Sequence, residues 1–321
     1  MKILIAGGAG YIGSKLIPHL IERGYGIDVV DLFWFGDYLP GDIKKIKKGI
    51  LELSEAELKP YEQVIFLAGL SNDPMAEYSP SLNFIHNAAA PAYFGYIAKR
   101  AGVKRFIYAS SCSVYGYTEN ELYDETSPAI SNYPYGISKL QGEKAVMQMQ
   151  DDSFSVICLR QGTVSGYSPR MRLDLIVNTM FKCALTEGLI TVNNPAIWRP
   201  VLSIRDAVTA YVRAIEAYPT ISGIFNVASG NYTVGEAADL VRASLKEHMD
   251  RDIDLNIQHK QDYRNYKVNI EKARNVLSFK PRYDIDGIVK DLIENYNHFS
   301  DMTNAKYYNI EVFKGLRLQN M

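Results

Sequence analysis

The sequence contains few cysteines and no recognisable set of metal ligands. Its three cysteines, Cys112, Cys158 and Cys183, form no Cys-x-x-Cys pair, and its five histidines form no His-x-x-x-His pair. Scattered cysteines are typical of a reducing compartment and argue against a disulfide scaffold or a zinc site. We therefore expect a cytoplasmic protein without a structural metal.

Long apolar runs and an excess of one charge are also missing. No stretch approaches the roughly 18 apolar residues of a membrane helix, and the apolar start at 3–6 is soon broken by glycines, unlike a secretion signal. The 35 Lys and Arg residues nearly balance the 36 Asp and Glu residues, and no basic block is present. We expect a soluble chain with neither nucleic acid nor a membrane as its partner.

Short apolar runs alternate with helical patterns through the first half of the chain. The runs lie at 3–6, 27–30, 64–67, 106–109 and 154–159, and the helical patterns lie at about 12–24, 81–102 and 135–150. Near-continuous apolar strands that alternate with helices are typical of a parallel sheet covered on both faces. The pattern predicts an α/β fold, a Rossmann-type doubly wound parallel sheet with a smaller C-terminal α/β lobe.

This rhythm becomes less regular after residue 160. A late apolar run at 222–228 predicts a strand that returns to the sheet. Further helices are predicted near 173–187, 206–217, 233–249, 270–277 and 285–299, and a strand near 253–258. We predict a Rossmann domain of residues 1–160, to which 201–230 return, and a substrate-binding lobe of residues 161–200 and 231–321. The apolar tail 301–321 is expected to pack at a place that the sequence does not specify.

A glycine-rich turn joins the first apolar run to the first helical pattern. It contains Gly7, Gly10, Tyr11, Ile12 and Gly13. Glycines let the backbone approach a pyrophosphate closely, and a helix N-terminus offers free N–H groups and a positive dipole end. Because the turn lies between a predicted strand and a predicted helix, we interpret it as a dinucleotide site. Asp31 ends the second run, where its carboxylate would bind the adenosine ribose and repel a 2′-phosphate, so the sequence favours NAD over NADP.

Tyr135 and Lys139 lie four residues apart on a predicted helix that begins after Pro134, and therefore share one face. The lysine can lower the pKa of the phenol from about 10 and hold the nicotinamide ribose, which makes Tyr135 a usable acid/base. The spacing alone is weak, because Tyr263 and Lys267 share it. Position distinguishes the first pair, which follows a serine-rich strand end at 110–113, at the edge where doubly wound sheets bind ligands.

Taken in this order, the motifs resemble the extended short-chain dehydrogenase/reductases. Within them the chain resembles the NAD-dependent nucleotide-sugar epimerase/dehydratase family, of which UDP-glucose 4-epimerase is typical. The likeness spans nearly the whole chain. It rests on the glycine turn, Asp31, Asn87 and the segments 66–69, 110–116, 135–139, 199–206, 262–268 and 279–281.

The resemblance implies a role for each matching position. The catalytic residues would be Ser111, Tyr135 and Lys139, with Ser111 bonded to the reacting sugar oxygen. Besides the glycine turn and Asp31, the cofactor NAD would be bound by Leu51, Leu67, Ala68, Gly69, Asn87, Ser110, Tyr135 and Lys139. The nucleotide-diphosphate sugar would be bound by Asn178, Arg199 and Arg264, with Arg170 and Arg172 as alternatives. A homodimer would form through the helices near 81–102 and 135–150.

The resemblance leaves several reactions open. Dehydratases of the family place an Asp-Glu pair directly after the catalytic Ser or Thr, and decarboxylating relatives place a Glu there, whereas this chain has Cys112 and Ser113. We interpret Cys112 as a small packing residue. Our first hypothesis is a nucleotide-sugar epimerase that acts at C4 through a transient 4-keto sugar and keeps its NAD. The second is a nucleotide-ketosugar reductase or sugar C4 dehydrogenase, and the third is a non-catalytic NAD-binding regulatory protein.

The sequence departs from the family pattern around the expected pockets. Ile50 replaces a common Asp, and the segments 160–166 and 198–200 differ from their usual forms. These departures leave the identity of the sugar and of the nucleotide open.

Overall fold

The structure is a computed structural model, and it describes residues 1–259 and 264–316. Its strands are β1 (Lys2–Ala6), β2 (Gly26–Asp31), β3 (Lys44–Lys47), β4 (Gln63–Phe66), β5 (Arg105–Ser111), β6 (Tyr117–Tyr123), β7 (Ser155–Gln161), β8 (Thr163–Ser165), β9 (Leu189–Asn193), β10 (Trp198–Ser203), β11 (Gly223–Val227), β12 (Gly230–Thr233), β13 (Asp254–Gln258) and β14 (Asn265–Val268). Its helices are α1 (Tyr11–Glu22), α2 (Glu55–Leu58), α3 (Asp73–Tyr78), α4 (Pro80–Phe84), α5 (Ala90–Arg100), α6 (Pro134–Met147), α7 (Ile176–Glu187), α8 (Ile204–Glu216), α9 (Val234–Met249), α10 (Glu271–Leu277), α11 (Ile285–Glu294) and α12 (Asn309–Gly315).

Within the described residues, seven parallel strands form one sheet in the order β11-β7-β5-β4-β1-β2-β3. Every residue of β5 and of β7 is buried, as expected for strands covered on both faces. The sheet confirms the predicted Rossmann-type fold. Because the order in which strands are added to the sheet reverses between β1 and β4, the carboxyl ends of these strands flank a crevice, which is where such sheets bind ligands.

Helices cover both faces of this sheet. On one face, α1 contributes Leu16, Ile17 and Leu20 to a core that includes the buried side of α8. On the other face, Phe94 of α5 packs against Phe66, with ring centroids 5.8 Å apart. These contacts hold the carboxyl ends of the strands in place and so support the crevice.

The single helix predicted near 81–102 is interrupted. A π-helical turn, Ile85–Ala89, joins α4 to α5. Pro91 has no N–H to donate to the carbonyl oxygen of Asn87, and the hydroxyl of Tyr108 donates to that oxygen instead, at 3.1 Å. Such turns are frequent at functional sites, and this one places Asn87 beside the wall of the crevice.

Smaller sheets lie beyond the crevice. Their strand orders are β12-β10-β8, β13-β9 and β14-β6. The late strand predicted at 222–228 corresponds to β11, which pairs in parallel with β7 at the edge of the large sheet. We propose that the small sheets, with α7 and α9 to α11, make up the substrate-binding lobe.

The C-terminal tail packs against loops at the carboxyl edge of the large sheet. Phe313 of α12 is 1% exposed, and its ring centroid lies 5.7 Å from that of Trp34 and 6.0 Å from that of Tyr78. The backbone N–H of Leu173 donates to the carbonyl of Tyr307 at 2.9 Å. The predicted packing is confirmed for the described part of the tail. None of the described helices is long and apolar enough to span a membrane.

Candidate active site

A cleft of about 690 Å³ lies at the carboxyl ends of the large sheet's strands, within the usual size range of small-molecule sites. It brings together most of the residues that the sequence indicated. They are Gly7, Gly10, Tyr11, Ile12, Gly13, Asp31, Leu67, Ala68, Gly69, Ser110, Ser111, Tyr135, Lys139, Arg170, Arg172, Arg199 and Arg264. Leu51, Asn87 and Asn178 are not among the residues that line it.

The glycine turn forms one end of this cleft. Gly7 has φ +78°, and a Cβ atom there would lie 2.4 Å from the backbone N of Ala68. A Cβ on Gly13 would lie 2.2 Å from the carbonyl oxygen of Gly8. Only glycine therefore allows this close approach of the turn, the helix and the strand end. Because α1 begins after Gly10 without a side-chain cap, the N–H groups of its first turn are left for a ligand.

Asp31 lies beside this turn at the end of β2. Its carboxylate accepts hydrogen bonds from the backbone N–H groups of Ala9 at 2.9 Å and of Phe33 at 2.8 Å. Burial raises its pKa above the ordinary value, although these hydrogen bonds oppose the rise. A carboxylate has further lone pairs with which it can accept hydroxyl groups. The turn and Asp31 together fit the adenosine half of a dinucleotide.

Two predicted cofactor residues are placed differently. Leu51 is 48% exposed, because the 3-10 turn Ile50–Glu52 directs it to solvent, whereas Lys48 and Ile50 line the cleft. Asn87 is fully buried, and its side-chain amide donates to the carbonyl of Leu70 at 2.9 Å. The side chain of Leu51 thus points away from the cleft, its expected contact with the cofactor stays a prediction, and Asn87 braces the cleft wall.

Tyr135 and Ser111 lie together at the other end of the cleft. Pro134 occupies the first position of α6 and Tyr135 the second, and Ser111 ends β5. The phenol lies close enough to the Ser111 side chain for that hydroxyl to lower its pKa, and Ser111 Oγ accepts the N–H of Ser113 at 3.1 Å. Burial raises the pKa of Tyr135 well above its usual value, and the nearby Ser111 side chain offsets only part of that rise.

Lys139 lies beneath this pair, one helical turn along α6. Its ammonium donates to the carbonyl of Ala109 at 2.8 Å and lies 5.1 Å from the ring centroid of Tyr108. Burial lowers the pKa of Lys139 to about 8. We expected Lys139 to lower the pKa of Tyr135, but in this structure the burial of the phenol dominates.

Ser110 and Cys112 alternate with Ser111, and the polar atom of each side chain bonds to a group behind the strand end. The hydroxyl of Ser110 donates its proton to the carboxylate of Glu143 at 2.6 Å, so it can meet a cofactor only as an acceptor. The thiol of Cys112 donates to the carbonyl of Arg160 at 3.2 Å, and burial raises its pKa. Cys112 is the packing residue that we expected, and Ser110 adjoins the cleft without offering it a hydroxyl proton.

Arginines line the part of the cleft beyond Tyr135. The guanidinium of Arg199 lies 5.7 Å from the ring centroid of Tyr266 and donates to the carbonyl of Arg264. Arg264 forms an ion pair with Asp73 at 2.8 Å. Arg172 forms one with Asp174 at 2.9 Å. These cations give this side of the cleft the charge that a diphosphate would need. Tyr263, which with Lys267 repeats the spacing of Tyr135 and Lys139, and Asp262 lie outside the described residues.

Asn178 is the one predicted substrate residue that does not reach the cleft. It is fully buried, its amide donates to the carbonyl of Arg172 at 2.7 Å, and its side-chain oxygen accepts the N–H of Gly166 at 2.9 Å. Its polar atoms therefore hold the loop 166–172, and the neighbouring Thr179 lines the cleft instead.

Several lining residues were missed by the sequence reasoning. They are Trp34, Phe35, Asp73, Asn309 and Ile310. Asp73 follows β4 in an Asn-Asp-Pro segment that starts a helix at the carboxyl edge of the sheet, a signal that could have found it. Asn309 and Ile310 had no such signal, because they come from the far end of the chain.

Comparison with known proteins places these features in a family. The family model described as "NAD dependent epimerase/dehydratase family" matches residues 3–228. The chain is 28% identical over 270 residues to a putative UDP-arabinose 4-epimerase of Arabidopsis thaliana, with 71% of this chain and 63% of that protein covered. It is 23% identical over 321 residues to a UDP-glucose 4-epimerase of Rhizobium leguminosarum, with 90% and 95% covered. The chain thus spans less than two thirds of the plant relative and nearly all of the bacterial one.

Solved structures share the fold. One is MoeE5 in complex with UDP-glucuronic acid and NAD, with a TM-score of 0.80 and 24% identity, covering 95% of this chain and 100% of that one. The UDP-glucose 4-epimerase of Thermotoga maritima, solved with UDP-glucose, gives the same TM-score, identity and coverage. At this level of identity the likeness shows the fold alone.

Proposed function

The chain belongs to the NAD-dependent epimerase/dehydratase family, and we propose that it is a nucleotide-sugar epimerase that acts at C4. NAD is the cofactor of this family. The observation that carries the proposal is that Tyr135, Ser111 and Lys139 line the same cleft as the glycine turn. An acid/base hydroxyl and a dinucleotide turn in one cleft are what the oxidation of a sugar carbinol requires.

The chain's own residues supply the proton transfer. When bound, NAD provides a hydride acceptor and donor. Tyr135 takes the proton of the C4 hydroxyl and later returns it to the rotated 4-keto sugar, while Ser111 holds the reacting oxygen within hydrogen-bond reach. Lys139 supplies a second hydrogen-bond donor to the same cleft, held by the carbonyl of Ala109. Because the phenol of Tyr135 is partly buried, bulk water has little access to the proton that it transfers.

The substrate that we propose is a nucleotide-diphosphate sugar. Arg199 and Arg264 line the cleft beyond Tyr135, and Arg172 lies close enough to lower the pKa of that phenol. Guanidinium groups suit a diphosphate because their planar donors match its oxygens. UDP-sugars are the first choice, since the relatives are named as UDP-arabinose and UDP-glucose 4-epimerases.

Epimerisation fits the site better than elimination. Neither Cys112 nor Ser113 is a carboxylic acid, and the thiol of Cys112 is turned to the carbonyl of Arg160. Asp73, a cleft carboxylate close enough to raise the pKa of Tyr135, is ion-paired with Arg264. An ion-paired carboxylate is a poor proton donor to a leaving hydroxyl.

The proposal is tested by incubating the purified protein with UDP-glucose, UDP-galactose, UDP-arabinose or UDP-xylose and following the sugar signals by proton NMR. Formation of the C4 isomer without added cofactor is the expected result. A stoichiometric change in NADH would identify a reductase or dehydrogenase instead, and binding without turnover would identify a regulatory protein. Tyr135→Phe should abolish turnover, whereas Tyr218→Phe, on a side chain that is 81% exposed, should not. Near-normal turnover by Tyr135→Phe would contradict the assignment.

We also propose that the chain is a cytoplasmic homodimer formed through α4, α5 and α6. Tyr93 and Tyr96 of α5 are 37% and 53% exposed and could lie in such an interface. The test is the mass in solution, measured by light scattering. If wild type and Tyr96→Glu both gave the mass of one chain, the dimer would be excluded.

A further inference from the structure

Arg170 is a buried cation in the cofactor end of the cleft. Its side chain lines the cleft, and the residue is 2% exposed. Among the described residues no carboxylate forms an ion pair with it. One of its terminal nitrogens donates to the side-chain oxygen of Asn309 at 2.5 Å, and its Nε has no hydrogen-bond partner.

A guanidinium in this position is unfavourable without a directly bound anion, because burial removes its hydration and the charges of Asp174 and Asp31 act on it without forming an ion pair. Burial and the neighbouring charge of Arg172 lower the pKa of Arg170 to about 9, so the group is still cationic at neutral pH. A chain that keeps such a cation in a ligand cleft has a site ready for a negatively charged ligand.

The backbone around Arg170 is tied to the first turn of α1. The hydroxyl of Tyr11 donates to the carbonyl of Gly166 at 2.6 Å, and the hydroxyl of Ser168 donates to the carbonyl of Tyr11 at 2.7 Å. The N–H of Arg170 donates to the hydroxyl of Ser14 at 3.3 Å. These contacts place Arg170 next to the N-terminus of α1, where the free N–H groups of the glycine turn also lie.

The guanidinium itself is held on two further sides. It lies 4.1 Å from the ring centroid of Phe35, a cation–π contact. Asn309, which accepts its hydrogen bond, in turn donates to the hydroxyl of Ser71 at 2.7 Å. A side chain held in this way loses little entropy on binding a ligand, and its planar donors suit phosphate oxygens.

We propose that Arg170 binds the pyrophosphate of the dinucleotide, opposite the N-terminus of α1, and that Asn309 of the C-terminal helix positions it there. Sequence reasoning had considered Arg170 only as an alternative contact for the substrate. The assignment does not depend on which reaction the chain catalyses, because the anion in question belongs to the cofactor.

The test measures ligand binding to the protein freed of nucleotide, by calorimetry, with NAD⁺, ADP and adenosine. Arg170→Met removes the charge and keeps an apolar side chain of similar length. We expect it to weaken the binding of NAD⁺ and of ADP by roughly 10- to 100-fold and to leave the binding of adenosine unchanged. Arg213→Met, which removes a half-exposed arginine of α8, is the matched control and should change none of the three.

Thermal unfolding of the nucleotide-free protein separates this role from a structural one. If Arg170 serves a ligand, Arg170→Met should unfold at the same temperature as wild type or higher, while its stabilisation by NAD⁺ should fall. Asn309→Ala keeps the charge of Arg170 and should weaken the binding of NAD⁺ and ADP by a smaller factor than Arg170→Met does. The proposal would be overturned if Arg170→Met bound ADP as tightly as wild type, or lost affinity for adenosine as much as for ADP. It would also be overturned if both Arg170→Met and Arg170→Gln failed to fold.

Discussion

Glu143 and Arg160 form a wholly buried ion pair, 2.6 Å apart, directly behind the strand end that carries Ser111. Ser110 donates to the same carboxylate at 2.6 Å, and the second terminal nitrogen of Arg160 donates to the hydroxyl of Tyr115 at 2.8 Å. The pair therefore joins α6, β5 and β7 at the place where Tyr135 and Ser111 must meet.

Breaking this pair should destabilise the protein strongly. Glu143→Gln leaves the buried charge of Arg160 without a counter-ion, and we expect a loss of about 3–5 kcal/mol in the free energy of unfolding, measured with urea. The control is Glu55→Gln, which breaks an exposed pair with Arg100 and should cost less than about 1 kcal/mol. Losses of similar size in the two variants would show that the buried pair has no special role.

Lys139 should make stability depend on pH in the alkaline range. Its pKa is lowered to about 8 in the folded protein, from an ordinary value of 10.5. Between these values the unfolded chain binds more protons than the folded one, so the free energy of unfolding should rise with pH across this window and the burial penalty should be complete below it. We expect the difference between wild type and Lys139→Met to change by about 3 kcal/mol from pH 8 to 10.5.

The measurement is a series of urea titrations of the nucleotide-free protein at several pH values in that window. Lys144→Met, which alters an exposed lysine of the same helix, is the control and should run parallel to wild type. A curve for Lys139→Met that also ran parallel to wild type would mean that the lysine is not buried as a cation.

The large sheet and the Tyr135–Lys139 pair could be predicted because their signals are local. Strands β1, β4 and β5 are buried on both faces and so appear as continuous apolar runs, whereas β3, with the sequence Lys-Lys-Ile-Lys at the sheet edge, does not. The pair needs only helical spacing and a strand end before it. Neither signal depends on where distant loops lie in the folded chain.

The rest of the site depends on contacts between distant segments. Arg170 meets Asn309 across 139 positions of sequence, and Arg264 meets Asp73 across 191. No periodicity carries such information. For Leu51 the reason is different, since a single 3-10 turn decides whether its side chain or that of Ile50 faces the cleft. The resemblance pointed to this segment but could not indicate which side chain faces the cleft.

Asp73 should shift the pH range in which Tyr135 works. Burial is the main cause of the raised pKa of the phenol, and the negative charge of Asp73 adds to it, against the lowering effects of Ser111 and Arg172. Because the phenolate is the base, kcat/KM should rise with pH up to this pKa. Asp73→Asn removes the charge, so the rising limb should move to lower pH. Glu77→Gln, on the exposed side of the same helix, should leave the limb in place. A shift to higher pH, or none, would contradict the assigned direction.

The C-terminal helix should control how quickly the cofactor leaves. Phe313 is the buried anchor of α12 between Trp34 and Tyr78, and two residues of the same helix, Asn309 and Ile310, line the cleft. Replacing a core Phe by Ala costs about 3–5 kcal/mol. In a short terminal helix this loss lowers the free energy of local opening rather than that of global unfolding, because α12 can detach while the sheet stays folded.

We therefore expect Phe313→Ala to increase protease cleavage within 301–316, to speed NAD release at least several-fold and to move the thermal midpoint only slightly. Only two tryptophans are present, so a Trp198→Phe background isolates Trp34, whose emission should shift to the red as α12 detaches. Glu311→Ala, on the exposed face of the same helix, serves as the control. Among the described residues, Phe313 is the ring of α12 that contacts Trp34. If Phe313→Ala kept both the emission and the NAD release rate of the wild type, the proposal that α12 covers the cofactor would be wrong.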